Sequence, residues 1–212
     1  MKYLKKFESP DEKTTWQLSE EYVTPNVILI GDTVYYDVPK YSYGVHIQHV
    51  NGNLFTQEEW IERGYSNDEA NGVAFINEGY RFVISKNALP ATTWAANTST
   101  LMGDLLPGNG PGNTAVLAAL GPTGAAYACA NYRFPNGSAG HLPTLGELRT
   151  TFNNLTEISS AMELIGGDTL IAETWSCVEY DATYAYIHTM TSNTSAQRRK
   201  SYNKTPRPFA VL

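Results

Sequence analysis

Two histidines, two cysteines, a glycine-rich run, a serine among glycines and a knot of cations are the side chains here whose types suit chemistry. His46 and His49 are metal-ligand types, but three positions apart on a strand they face opposite sides, and no Cys, Asp or Glu stands close in sequence. The spacing predicts no metal site. Gly108-Asn-Gly-Pro-Gly112 lacks the following Lys-Ser/Thr pair and the preceding strand that a phosphate-binding turn needs, so it reads as loop. Asn136-Gly-Ser138-Ala-Gly140 lacks the Gly-x-Ser-x-Gly spacing and the strand of a nucleophile elbow. No catalytic residue and no cofactor is predicted.

Cys129 and Cys177 could form one bridge. The start MKYLKKFESPDEK has no apolar run behind its basic residues, which reads as no secretory signal, synthesis in a reducing cytoplasm and free thiols. For the same reason the Asn-x-Ser/Thr sequons carry little weight. Arg198, Arg199, Lys200 and Lys204 form a basic cluster in a chain whose net charge is -6. Such a cluster reads as a solvated face or, beside Tyr184, Tyr186 and Tyr202, as a surface for an anionic glycan or an acidic protein. With 15 Lys+Arg against 21 Asp+Glu, the whole-chain footprint of a nucleic-acid binder is absent. The most apolar stretch, residues 116–130, is interrupted by Gly121, Pro122 and Gly124 and is too short to cross a bilayer. No nucleic acid and no membrane insertion are expected.

The elements that must position these groups are legible in part. Residues 1–43 read as a small β-rich unit: a short helix after Pro10, then strands 23–30 and 33–37 around a Gly31-Asp32 turn. A lone hairpin is marginal in water, so this unit is expected to pair with something else, either the rest of the chain or another subunit. Residues 39–44 are the expected boundary. Beyond it, 44–50 alternates as a strand into Asn51-Gly52, which predicts a type I′ turn. Thr56 and Glu59 predict a capping box for the helix that carries Trp60, and 72–76 and 80–85 predict a second hairpin across Glu78-Gly79.

Residues 87–113 read as a long surface loop. A helical stretch over 113–131 is expected to break at Gly121-Pro122. Thr144 with Glu147, and Asn154 with Glu157, predict two capping boxes that open core helices. Leu145, Leu148, Phe152 and Leu155 share one face, Ile158, Met162 and Ile165 continue the spacing, and Gly166-Gly167 supplies a stop. Of residues 174–206, 16 of 33 are Tyr, Ser, Thr or Asn, a balance that reads as an exposed antiparallel meander with polar loops or as a contact surface.

The run Leu142-Pro143-Thr144-Leu145-Gly146-Glu147-Leu148, then Trp175-Ser176-x-x-Glu179-Tyr180, Ala185-Tyr186 and Arg207-Pro208-Phe209-Ala210, resembles a C-type lectin-like domain. More closely, it is similar to the variable proteins of diversity-generating retroelements and related virion proteins of gut-bacterial phages. The resemblance covers about residues 125–212; Thr24-Pro-Asn-Val27, Gly44-Val45 and Asn71-Gly-Val-Ala74 resemble the segment that precedes this domain in such phage proteins. Cys177-Val178 stand where Ser-Thr is usual, and Tyr186 where Trp is usual.

The resemblance implies an α+β, C-type lectin-like fold with two core helices and antiparallel strands over 44–212, after the N-terminal anchor 1–43. It implies a non-enzymatic, virion-associated protein that attaches to a host receptor, protein or glycan. Residues 1–43 would meet other virion proteins, and the assembly would be a homotrimer made in the host cytoplasm. The alternatives are a structural decoration protein that binds another virion protein, or a bacterial surface adhesin. The Glu-Pro-Asn, Gln-Pro-Asp and Trp-Asn-Asp marks of calcium-dependent sugar binding do not occur. Cys129 and Cys177 do not match the catalytic pair of formylglycine-generating enzymes, which share a related fold.

A retroelement that rewrites only the first two bases of AAC or AAT codons cannot write Trp, Met, Lys, Gln or Glu. Trp175, Glu179, Met190, Gln197, Lys200 and Lys204 would therefore be scaffold. The expected contact residues are Asp181, Thr183, Tyr184, Tyr186, His188, Asn193, Arg198, Tyr202 and Asn203, forming one exposed patch.

Overall fold

The computed structural model describes residues 26–30, 33–37, 41–102, 105–171 and 173–212. The chain divides into two units, Met1–Tyr43 and Gly44–Leu212. In the first, β1 (Asn26–Ile30) and β2 (Thr33–Asp37) pair antiparallel, with Asn26 opposite Asp37 and Ile30 opposite Thr33. The helix expected after Pro10, residues 23–25 and the Gly31-Asp32 turn lie outside the described residues.

The second unit is α+β. In chain order it runs β3 (Gly44–His49), β4 (Leu54–Phe55), α1 (Gln57–Glu62), β5 (Ala70–Ile76), β6 (Arg81–Ser85), α2 (Gly110–Ala118), α3 (Gly124–Asn131), α4 (Leu145–Asn153), α5 (Leu155–Leu164), β7 (Glu173–Glu179), β8 (Tyr184–Thr189), β9 (Thr194–Arg199) and β10 (Phe209–Val211). Five strands form one antiparallel sheet in the order β10-β6-β5-β3-β4, and β7-β8-β9 form a separate antiparallel meander.

Local chemistry explains most boundaries. Asn77 accepts from the N–H groups of Gly79 (2.9 Å) and Tyr80 (2.7 Å), which closes the β5–β6 hairpin. Thr56 caps α1 and Thr144 caps α4, each in a reciprocal capping box with the glutamate three residues on. Gly166, at φ 65°, ends α5 in a left-handed residue, and Gly167 N–H returns to the Met162 carbonyl at 2.8 Å.

Three local expectations are corrected. Asn51 does not adopt positive φ; Gly52 alone does in that turn (φ 87°), donating to the His49 carbonyl, so the β3–β4 connection is a three-residue loop rather than type I′. Asn154 makes no side-chain cap on α5; its amide donates back to the Thr150 carbonyl at 2.8 Å and closes α4 instead. Residues 87–113 are only in part a surface loop, with Asn87, Pro90 and residues 106–109 exposed. Their helical end starts at Gly110, and Trp94 and Ala95 are buried.

That segment is held inward by backbone bonds. Leu89, Thr92 and Trp94 donate to the carbonyls of Pro206, Lys204 and Lys200, while the carbonyls of Thr93 and Trp94 accept the first free N–H groups of α3, from Ala125 and Ala126. Gly124 opens α3 at φ 91°, and a Cβ there would strike the Ala95 backbone.

Two apolar clusters result. Ile47, Val73, Phe82, Ile158 and Met162 fill the first, where α5 lies across β3 and β5. Trp94, Leu117, Cys129, Trp175 and Ile187 fill the second, between α2, α3 and the inner side of the β7–β9 sheet. α4 packs on β7 and β8.

Candidate functional site

β8 alternates: Ala185 and Ile187 enter the second core, which sends Tyr184, Tyr186 and His188 to the other face. β9 pairs with β8 in unbroken register, so Arg199, Gln197 and Ser195 lie opposite Tyr184, Tyr186 and His188 on that same face. Tyr180, at the end of β7 and 53% exposed, adds its ring against Tyr186, with centroids 5.6 Å apart at 88°. Arg199 lies over the Tyr184 ring at 5.8 Å. Arg149, on α4, donates to Ser195 Oγ from Nε (3.3 Å) and Nη2 (3.2 Å), which brings a second guanidinium to this face. Neither Arg149 nor Arg199 enters a salt bridge among the described residues.

The other cations of the basic run are committed elsewhere. Arg198, opposite Ala185, points to the inner side of the sheet and shares Glu173 with Lys204, at 2.6 and 2.5 Å. Lys200 is wholly buried: its ammonium meets Glu179 Oε1 at 2.5 Å, the carbonyls of Thr100 (3.0 Å) and Ala182 (3.1 Å), and the Trp94 ring at 4.9 Å. Glu179 also accepts from Met102 N–H, at 2.8 Å to Oε2. Arg207 donates to four carbonyls, those of Ser85, Lys86, Asp168 and Thr169, and burial pulls its pKa down to about 10. The expectation of one solvated basic cluster is thereby corrected: of its four cations, Arg198, Lys200 and Lys204 hold elements together, as Arg207 does, and of the four only Arg199 faces the tyrosines.

The expected contact residues separate accordingly. Tyr184 and Tyr186 share the face. His188 does not belong to it as a contact: it points the same way but is buried, because α4 covers it with Phe152 edge-on at 6.1 Å. Arg198 is excluded by strand parity. Asn193, the turn residue at φ 51°, stands beyond the far end of β8, about 17 Å of strand from Tyr184. Asp181 is half-buried, and its carboxylate accepts from the N–H groups of Thr183 and Tyr184, both at 2.7 Å, so it shapes the turn. Thr183, Tyr202 and Asn203 are exposed near the Tyr184 end, where Lys200 N–H donates to the Thr183 carbonyl. Sequence reasoning left Tyr180, Gln197, Arg199 and Arg149 off the list. Alternation alone could have paired Arg199 with Tyr184, given the register; nothing local marks Arg149.

Of the residues expected to be scaffold, Trp175, Met190 and Lys200 are buried, and Glu179 and Lys204 are ion-paired. Gln197 is instead exposed beside Tyr186.

Elsewhere the reactive side chains are enclosed. Both thiols are free and buried, and burial raises their pKa, that of Cys177 to about 12. His49 packs among Phe55, Trp60 and Tyr65, 3.6 Å from Glu69, while His46 lies on the opposite side of β3. Among the described residues no three His, Cys, Asp or Glu side chains gather as a metal site, and no helix is long and apolar enough to cross a membrane.

His188 gives a pH dependence. Burial, then the Arg149 charge, lowers its folded pKa below 6.5. As pH falls through 6.5 the unfolded chain takes up the proton first, so this stability is complete above that pH and lost below it. Thermal unfolding between pH 7.5 and 5.5 is expected to show a decline that His188→Gln makes shallower; identical slopes would refute the assignment.

Comparison with protein-family models and with curated proteins returns no match.

Proposed function

We propose that the chain is a non-enzymatic binding protein of a phage particle, whose second unit is a C-type lectin-like domain that meets a host receptor through the outer face of β7–β9. The observation that carries this reading is the division of side chains along residues 173–207. Lys200, Arg198, Lys204 and Arg207 are spent on internal partners, while Tyr180, Tyr184, Tyr186, Gln197 and Arg199 are left together on one face. Tyrosine and arginine are enriched among the residues that carry most binding energy at interfaces, tyrosine because it buries large area at small entropic cost and arginine because its planar guanidinium presents several donors in a fixed fork.

The ordered motifs support the lectin-like reading. Leu142-Pro143-Thr144 leads into the capped start of α4, Trp175-Ser176 lies in β7, and Arg207-Pro208 returns the chain to β10 beside β6. Residues 1–43 serve as the anchor to other virion proteins, and the working assembly is a homotrimer.

The test is adhesion of the labelled protein to envelopes of the bacterium that hosts the phage, with immunogold labelling of virions alongside. Tyr186→Ala and Arg199→Ala are each expected to weaken adhesion about tenfold without lowering the melting temperature. Adhesion unchanged in both variants, or virions that carry no label, would overturn the proposal.

A further inference from the structure

The tyrosine face carries charge of one sign. Among the described residues its cations, Arg199 and Arg149, enter no salt bridge, and the Asp181 carboxylate in the β7–β8 turn is engaged by two backbone N–H groups. This occurs in a chain of net charge -6, in which Glu173 and Glu179 neutralise the neighbouring cations. Arg199 and Ser195, where Arg149 is held, are four residues apart on β9, about 13 Å. One small anion does not bridge that distance. Gln197 and the tyrosines lie between.

The shape favours a macromolecule over a small ligand. The face is one side of a strand meander, covered by α4 at its His188 end, and cavities among the described residues lie elsewhere, one bounded by Leu148, Thr174 and Met190 and another by Thr114, Ser138 and His141. Tyr180 and Tyr186 meet edge to face, so they do not offer two coplanar rings on which successive sugars would stack. An exposed tyrosine, Tyr180, and two half-buried ones, Tyr184 and Tyr186, beside guanidiniums without a salt bridge among the described residues suit a protein surface, where carboxylates take the forks and backbone packs on the rings.

We infer that the partner of this face is an acidic protein surface, with one carboxylate received by Arg199, another by Arg149, and the tyrosines covering the ground between. The inference rests on the reading of this face as the binding site. Because the chain as a whole is negative, long-range steering opposes such a partner; the arginines act in contact and set the dissociation rate.

The probe is a phage-displayed random peptide library selected on the full chain, in parallel with Arg199→Glu and Tyr186→Ala. Peptides selected by the unmodified protein are expected to be enriched in Asp and Glu over the input. They should lose about tenfold or more in affinity for Arg199→Glu, and selection on that variant should lose the acidic bias. Polygalacturonate, a carboxylate-bearing saccharide, should not displace them. Recovered peptides that need Tyr186 but show no acidic enrichment overturn this inference and leave the face intact. Peptides indifferent to both substitutions overturn the face itself. An empty selection, or tight binding of polygalacturonate that requires Arg199, overturns the protein partner.

Discussion

Lys200→Ala is expected to destabilise the second unit by about 3 to 5 kcal/mol, the cost of leaving one member of a buried ion pair without its partner. The ammonium is wholly enclosed and the Glu179 side chain is 6% exposed, so neither charge reaches water when the other is removed. In a domain of this size each kcal/mol moves the melting temperature by about 2 to 4 °C, so a drop near 10 °C should be seen. Glu179→Ala should cost a similar amount. Replacing both, as Lys200→Met with Glu179→Leu, should cost far less than the sum. What remains is the loss of partners for Met102 N–H and for the carbonyls of Thr100 and Ala182. Denaturant unfolding of the unmodified protein, Lys200→Met, Glu179→Leu and the double variant gives the coupling; strictly additive losses would contradict a buried pair. The lysine also ties residues 94–102 to the β7–β8 turn, so Lys200→Ala should loosen the Tyr184 end of the binding face and weaken adhesion.

Trp94→Ala is expected to cost about 3 to 5 kcal/mol, the usual loss for a fully buried large aromatic. The indole packs in the second core, donates from Nε1 to the Ser176 carbonyl at 2.7 Å, and lies against the Lys200 ammonium. That carbonyl belongs to the irregular stretch of β7, where pairing with β8 lapses between Trp175 and Glu179. Truncation therefore empties core volume and leaves a strand carbonyl without its donor. Trp175→Ala should be comparably severe, since its ring is also buried and its Nε1 donates to the Thr92 carbonyl at 3.1 Å. Tyr184→Ala, on the half-buried outer face, should cost less than about 1 kcal/mol of stability while it weakens binding. Equal losses of melting temperature for Trp94→Ala and Tyr184→Ala would contradict the division between core and face.

These two results bear on each other. Trp94 and Lys200 touch, so their substitutions should not add, and the residual in the cycle measures the ring–ammonium contact together with shared packing.

What the amino-acid order determines alone here is what closes within about four residues. The Thr56 and Thr144 capping boxes, the stop at Gly166, the break between α2 and α3 at Gly121-Pro122 and the hairpin at Asn77 each depend on groups a turn apart, so residue type and spacing suffice. Even there, Asn51-Gly52 and Asn154 had more than one local solution, and the pairing of β3 with β4 and the closure of α4 selected among them. The site was decided at longer range. Arg198 and Arg199 are equivalent in composition and adjacent in sequence; only the register of β9 on β8 sends one to Glu173 and the other to the tyrosines, and a slip of one residue would exchange them. His188 has the parity of a contact residue and loses that role because α4 lies over it. Lys200 looks like surface charge until Glu179, 21 residues earlier, and Thr100, 100 residues earlier, close around it. A charged side chain is buried only where partners from distant segments replace its water, and which distant segments meet is a property of the folded chain.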